Sequence, residues 1–432
     1  MSLGDEPNIV VFTDTFFETN GVGSYYRTLL DWSRRRGRGN VVVVCPFRKD
    51  IPASHEAMSA GHEDLSVNHE DIPPSGEEMS SSSRVRCGKE GSRGESGGVC
   101  HMADDVIAVT PAFRFRNPFY RDLLLGHYGQ PKLRRIVRSI KGPKVIHTAT
   151  SGPLGVAGSK VAKALRLASV GCYHTDLQKY AALYAGRSLG PLGPWACVKV
   201  ARFCDRRAYS SCAALCVPSG SAAETVKPFF KGEVAVIPNP IDVSRFRPAT
   251  SREGAFRRKY NPEGKVLAVV VGRVAKEKNL DLICRLLSSD KRIKTVFVGD
   301  GPYSETLTRR WNATVTGFLQ GEELLAAYQQ ADVFIQLSVT ETFGLSLVEA
   351  LASGLPAVVL RAGGFIDSIP PDQGVDIFEE DELPGLGDHC VALVSDGERH
   401  RASALKACAF VQQLGADAIL PKFFELHRRF AR

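Results

Sequence analysis

No run of apolar residues in this 432-residue chain approaches the roughly 20 that cross a bilayer, so no membrane-spanning helix is expected. The first residues, MSLGDEPNIVVFTD, carry acids and only a four-residue apolar run, which excludes a secretory signal and places the protein in the cytoplasm or at a cytosolic membrane face. Its eleven cysteines lack metal spacing: Cys212 and Cys216 stand close, but no second pair accompanies them. Cys45, Cys172, Cys284 and Cys390 sit among apolar residues and read as reduced, buried thiols. Two glycine motifs are also missing their spacing. Gly21 and Gly23 have no third glycine at the dinucleotide-binding offset, and the glycines before Lys160 do not make a P-loop, which rejects a nucleoside triphosphatase. No Asp-x-Asp stands near the expected site, so neither a metal nor a resident cofactor is implied. The net charge of +8 favours anionic partners, and no aromatic-basic ladder or nucleic-acid motif extends that to nucleic acid.

The length has room for two α/β domains, each with its own core. Within it, VFIQLSVTETFGLSLVE (residues 333–349) is the most informative stretch. Residues 333–337 predict a buried strand, 338–344 a polar turn, and from Leu345 the apolar spacing turns helical. A strand, a turn and a helix start make an anion site, because the first helical N–H groups are unpaired and the helix dipole is positive there. A phosphate would take the amides of Phe343, Gly344 and Leu345, while the carboxylates of Glu341 and Glu349 would accept hydrogen bonds from sugar hydroxyls. A second site of this geometry is GRVAKEKNLD. It puts Arg273 and Lys278 between a strand at 266–271 and a helix with Asn279 as the expected cap. A third is the loop TDTFFETNGVGSYY, leading to a helix expected over 24–35. A strand at 169–173 ends in YHTD, aiming His174 into the crevice where α/β sheets bind ligands.

Between these motifs the chain changes character. Residues 51–104 are rich in Ser, Glu, Gly and His without apolar periodicity, and are expected to be an insertion without a packed core. PAFRFRNPFYRDLLL interleaves Arg114, Arg116 and Arg121 with aromatic residues, a composition suited to a membrane interface or an anionic acceptor as well as to inward packing. Residues 195–208 predict a basic amphipathic helix. VAVIPNPIDVSRFRP carries the proline signal of a linker.

Glu341, seven residues and Glu349, framed as TETFGLSLVEALASGLPAVV, closely resembles the signature of the retaining glycosyltransferases of family 4. The Asn-Gly-Val loop, YHTD, the Gly-Arg…Glu-Lys-Asn pair and VTGFL resemble other parts of that family's pattern; the long insertion departs from it. IHTATSGPLG with YHTD is similar to the lipid-glycosylating, sulfoquinovosyl- or mannosyltransferase-like branch. The resemblance implies a GT-B fold of two facing, doubly wound Rossmann-like domains with the site in a cleft between them. The expected parts are an N-terminal domain at 1–245, a C-terminal domain at 246–405 and a last helix at 406–432 crossing back.

The activity implied is retaining, metal-independent transfer of a hexosyl group from a UDP- or GDP-linked sugar to a lipid or small-molecule hydroxyl. His174, Glu341, Arg273 and Lys278 are the implied catalytic residues, with the cations on the diphosphate and Glu341 on the donor sugar. Gly21, Gly23, Gly317, Phe318, Phe343, Gly344, Leu345 and Glu349 would complete the donor site, with Glu349 on the ribose. Asp176 and Tyr180 would border the acceptor, and Arg114, Arg116 and Arg121 would meet an anionic membrane surface. Two other readings stay open: a catalytically silent nucleotide-sugar-binding regulator and a peripheral membrane module.

Overall fold

The structure, a computed structural model, describes residues 6–18, 20–37, 40–47, 99–103, 105–116, 124–185, 193–364, 366–370 and 372–431. They cluster into two compact units: residues 1–172, 204–215 and 426–432 form the first, and residues 173–203 and 216–425 the second.

One sheet contains β1 (Asn8–Phe12), β2 (Asn40–Pro46), β3 (Val99–Ala103), β4 (Val106–Val109), β7 (Lys144–Thr148), β8 (Ser169–Cys172), β9 (Ala214–Val217) and β10 (Glu233–Val236). Its order is β10-β9-β8-β7-β1-β2-β4-β3, while β5 (Phe113–Arg116) and β6 (Leu124–His127) form a separate antiparallel pair. β1 pairs in parallel with both β2 and β7, so the chain winds outward from β1 in two directions. Val10, Phe12, Val44 and Ile146 are fully buried, packed with Leu133, Leu154 and Val161 of the covering helices. The continuous apolar run of β1 follows from this burial on both faces.

The second sheet contains β11 (Val266–Val271), β12 (Ile293–Val298), β13 (Thr314–Val315), β14 (Val333–Gln336), β15 (Ala357–Leu360) and β16 (Val375–Phe378). It is parallel throughout, in the order β13-β12-β11-β14-β15-β16. Ile283, Phe297, Ile335, Leu337, Val358 and Leu386 pack its core. At the amino ends of β11 and β14, Asp332 accepts from Arg257 at 3.0 and 3.1 Å and from the Leu267 amide at 2.8 Å. This buried ion pair pins the ends of the strands remote from the loops that follow them. Two doubly wound sheets, the first largely and the second wholly parallel, are thus the observed architecture.

Two expectations need correction, and a third lies outside the described residues. The first helix runs Gly21–Arg36, so Gly21 and Gly23 form its first turn instead of lying in a loop. Val99–Ala103, expected to belong to a segment without packed structure, forms β3 antiparallel to β4; residues 51–98 lie outside the described residues. The side chains of Arg114 and Arg116 on β5, and the whole of Arg121, lie outside them too. The last turn of helix Ala416–Phe430 clusters with the first unit, where His427 meets buried His147 at 2.9 Å and His147 meets Tyr26 at 2.7 Å. No described helix is long and apolar enough to cross a membrane.

Candidate functional site

In a doubly wound sheet, ligands bind beyond the carboxyl ends of the strands where the winding reverses. The second sheet reverses between β11 and β14, its first and fourth strands in chain order. These two pair only at Ala268–Val333 and Val269–Phe334, and their carboxyl ends then part. The pocket this opens is lined by Val271, Gly272, Arg273, Val274, Lys278, Gln336 and Ser338, among others. Arg273 and Lys278 are thus brought to one place by topology.

Backbone contacts fix the pocket's rim. The Gly272 amide bonds Val298 and the Val274 amide bonds Asp300, both across the loops after β11 and β12. At Gly299, φ is 139° and an added Cβ would stand 2.0 Å from the Gly272 carbonyl oxygen, so only glycine allows this approach. Asn279, the expected helix cap, instead adopts a left-handed conformation (φ 55°) without a side-chain cap bond. Its Nδ2 donates to the Leu337 carbonyl at 3.0 Å and ties the cationic loop to the end of β14.

Each cation faces a carboxylate. Arg273 Nη1 lies 3.4 Å from Glu277 Oε1, and Lys278 Nζ bonds Glu341 Oε1. Glu277 is buried, and it also accepts from the Tyr184 hydroxyl. That contact pushes the Tyr184 pKa up, although burial of the phenol contributes more. An anionic ligand would therefore exchange with carboxylates that already hold the cations in position.

After β14 the turn 338–344 leads into helix Leu345–Ala352. Gly344 stands at its N-cap in the left-handed region (φ 79°), with no side chain capping the helix start. The Thr342 hydroxyl donates to the His174 carbonyl at 2.7 Å, the Ser219 hydroxyl to the Thr342 carbonyl at 3.0 Å, and the Gly364 amide to the Glu341 carbonyl at 2.6 Å. These contacts join Glu341, His174 and the helix start. Phe343 is 2% exposed, while Leu345 is half-buried.

Glu349, inside that helix, accepts from the Tyr328 hydroxyl at 2.7 Å. Burial raises its pKa to about 7, against the opposing pull of Tyr328 and Arg245. Burial lowers the pKa of His174 to about 3, so its imidazole is neutral at working pH. Gly317 (φ 79°) bridges Gly299 at the end of β12, and the neighbouring Phe318 is 54% exposed.

Other candidates are placed elsewhere or committed to structural bonds. Asp176 is 2% exposed and accepts from the Lys179 amide at 3.1 Å, capping helix Leu177–Ala185; Tyr180 lies half-buried on that helix. Asp367, an acid that follows the glycine turn after β15, accepts from the Ser221 amide at 2.7 Å. Gly21 and Gly23 belong to the first unit. Asn20 caps their helix by accepting from the Gly23 amide at 2.9 Å, and a Cβ at Gly23 would stand 2.4 Å from the Glu18 carbonyl oxygen.

The first sheet reverses between β1 and β7, and a carboxylate occupies its helix start. Asp14 accepts from Thr150 Oγ1 at 2.6 Å, from the Leu154 amide at 2.9 Å and from the Gly155 amide at 3.4 Å, at the start of helix Pro153–Leu165. Its burial raises the pKa, opposed by these three donors. Asp14, Glu277 and Gln336 were all missed by sequence reasoning. Gln336 is 6% exposed; its Oε1 accepts from Ser346 Oγ at 3.3 Å, and its Nε2 has no partner among the described residues. An amide on an otherwise apolar strand was the available signal.

Residues 19–245 match the Glycosyltransferase Family 4 domain, and residues 251–382 match Glycosyl transferases group 1. The sulfoquinovosyl transferase SQD2 of Arabidopsis thaliana is 34% identical over 63% of this chain and 56% of its own length. The alpha-monoglucosyldiacylglycerol synthase of Acholeplasma laidlawii is 29% identical over 57% of this chain and 66% of its own. The matches therefore span under two thirds of these two relatives. The fold is similar to that of Anabaena HepE, solved with UDP-glucose: the TM-score is 0.66 at 14% identity, over 97% of this chain and 98% of that one.

Proposed function

This chain belongs to glycosyltransferase family 4, and from that premise we propose that it moves a hexosyl group from a nucleoside diphosphate sugar to a lipid hydroxyl at a cytosolic membrane face. The observation that carries the reading is that Arg273 and Lys278 line the open switch point together with Gln336, which is bonded in turn to Ser346 at the uncapped start of helix Leu345–Ala352. Two cations and free amides suit a diphosphate better than any neutral ligand. A relative that glucosylates diacylglycerol supports the lipid acceptor.

In this reading the diphosphate exchanges with Glu341 on Lys278 and with Glu277 on Arg273. Glu341, released from its ion pair, accepts hydrogen bonds from the donor sugar, and Glu349 accepts them from the ribose. The bond from the anomeric carbon to phosphate breaks while one to the acceptor oxygen forms on the same face. The acceptor's proton passes to the leaving phosphate oxygen, whose developing charge Arg273, Lys278 and the helix amides stabilise. Neutral His174 would donate or accept a hydrogen bond at the sugar without adding charge. The cations and amides take the charge-neutralising role, so no metal is required.

The test is transfer from UDP-glucose, GDP-mannose and other UDP- or GDP-hexoses to diacylglycerol in excess EDTA, with the product's anomeric configuration read by NMR. An α-linked product from an α-linked donor is expected, and Glu341→Ala should abolish it. Nucleotide binding without transfer to any lipid or sugar acceptor would favour a silent regulator. A requirement for divalent metal would overturn the metal-independent mechanism.

A further inference from the structure

Residues Lys276–Lys278 form a single 3-10 turn after β11, and its middle residue is the buried one. Glu277 is 2% exposed, whereas Lys276 beside it is exposed. Taking a carboxylate out of water has a cost that only partners offset. Glu277 has one for each oxygen. Its Oε1 faces Arg273 Nη1 at 3.4 Å, and its Oε2 accepts from the Tyr184 hydroxyl. Among the described residues these are the partners of its side chain. Its backbone carbonyl accepts from Ser338 Oγ at 3.2 Å, which fixes the turn to the chain just past β14.

The two partners differ in kind. The Arg273 contact is long beside the roughly 2.7–2.9 Å of a tight charge-assisted bond, and Arg273 lines the open pocket. Tyr184 stands half-buried on helix Leu177–Ala185, 93 residues away in sequence. Its burial first, and the bond to Glu277 second, hold the phenol well above its ordinary pKa, so the hydroxyl keeps its proton and donates.

We infer that Tyr184 is a positioning residue of the donor site, whose hydroxyl holds Glu277 when a diphosphate draws Arg273 away. The inference rests on the reading of the pocket as a nucleoside diphosphate site. Binding there requires Glu277 Oε1 to give up Arg273, and a buried carboxylate left without any partner would oppose that exchange. With Oε2 still accepting from Tyr184, Glu277 keeps a donor and its place while Arg273 turns to the phosphate. Tyr184 acts through Glu277 and Arg273, not by contact with the ligand.

The experiment is calorimetric titration of the full chain with UDP and with GDP in EDTA, comparing the natural chain with Tyr184→Phe, Glu277→Gln and the double variant. Phenylalanine keeps the ring and removes only the hydroxyl. Tyr184→Phe should weaken binding of whichever nucleotide the natural chain takes by about fivefold or more. In the Glu277→Gln background the same change should alter affinity less than about twofold, because a neutral amide leaves no buried charge to hold. A mere anchor for the helix would instead lower the Tm of the nucleotide-free protein in both backgrounds and leave both affinities in place. That result would overturn the inference. So would an equal loss of affinity in both backgrounds, since Tyr184 would then act without Glu277. Natural-chain binding that Tyr184→Phe leaves unchanged sinks this inference alone; a natural chain that binds neither nucleotide sinks the nucleoside diphosphate reading and the inference with it.

Discussion

The two sheets reverse their winding beside loops of the same kind, and the two reversals are chemically opposite. In the first sheet Asp14 fills the start of helix Pro153–Leu165 with a carboxylate. In the second, no side chain caps helix Leu345–Ala352, and Arg273 and Lys278 stand at the parted strand ends. A helix start attracts an anion in either case. In the first, the protein's own carboxylate sits on the helix start. In the second, its carboxylates Glu277 and Glu341 sit on the neighbouring cations and leave the helix start without a side-chain cap, which is where the proposed function puts a ligand anion. Strand-turn-helix geometry therefore identifies an anion cradle, and the side chain facing it determines whether the cradle is available.

Removing the cations should separate the two most sharply. Arg273→Ala with Lys278→Ala removes two charge-assisted contacts of about 1.5–3 kcal/mol each, so nucleoside diphosphate affinity should fall at least a hundredfold by calorimetry. Asp14→Ala is the counterpart. It leaves the amides of Leu154 and Gly155 without their acceptor, and should lower stability by about 1–3 kcal/mol in denaturant unfolding while nucleotide affinity holds. A large loss of nucleotide affinity in Asp14→Ala would break the comparison.

Glu349 sharpens it through pH. A carboxyl whose folded pKa, about 7, lies above its ordinary 4.5 binds its proton more tightly in the folded state. Its contribution thus favours folding at low pH, declines as pH rises from 4.5 to about 7, and is level above that. Ribose hydroxyls prefer the ionised acceptor, so nucleotide affinity should rise several-fold from pH 6 to 8, with Glu349→Gln flattening the profile. Tyr328→Phe removes a donor to the carboxylate and should move the midpoint upward. The smallest effect is expected at Gln336. Gln336→Leu removes a buried amide nitrogen without a partner among the described residues, so the nucleotide-free protein should gain a degree or two in Tm. If that nitrogen donates to the ligand, the same change should cost about fivefold in nucleotide affinity, or about 1 kcal/mol.

The second reversal was legible because its parts are local: apolar strand, polar turn and helix start lie within 333–349, and Arg273 and Lys278 within one short loop. The first was not. The partners of Asp14 lie 136 to 141 residues away, and no spacing rule reaches them. Gly21 and Gly23 lie in a stretch that reads as loop up to about residue 24, whereas Asn20 caps a helix directly before them. Asp176 sits three residues before Lys179, the spacing of a cap bond, and that local role competes with the acceptor role given to it. Glu277 could be seen in the sequence, but its burial between Arg273 and Tyr184 follows only from the fold.

The most direct test is thermal unfolding in EDTA with saturating UDP or GDP, comparing the natural chain with the Arg273→Ala, Lys278→Ala double variant. A nucleotide at about 100 times its dissociation constant adds about 2.7 kcal/mol, enough for a shift of a few degrees. That shift is expected with at least one nucleotide in the natural chain, and its loss is expected in the variant. A shift of equal size in the variant would contradict it and place the nucleotide elsewhere.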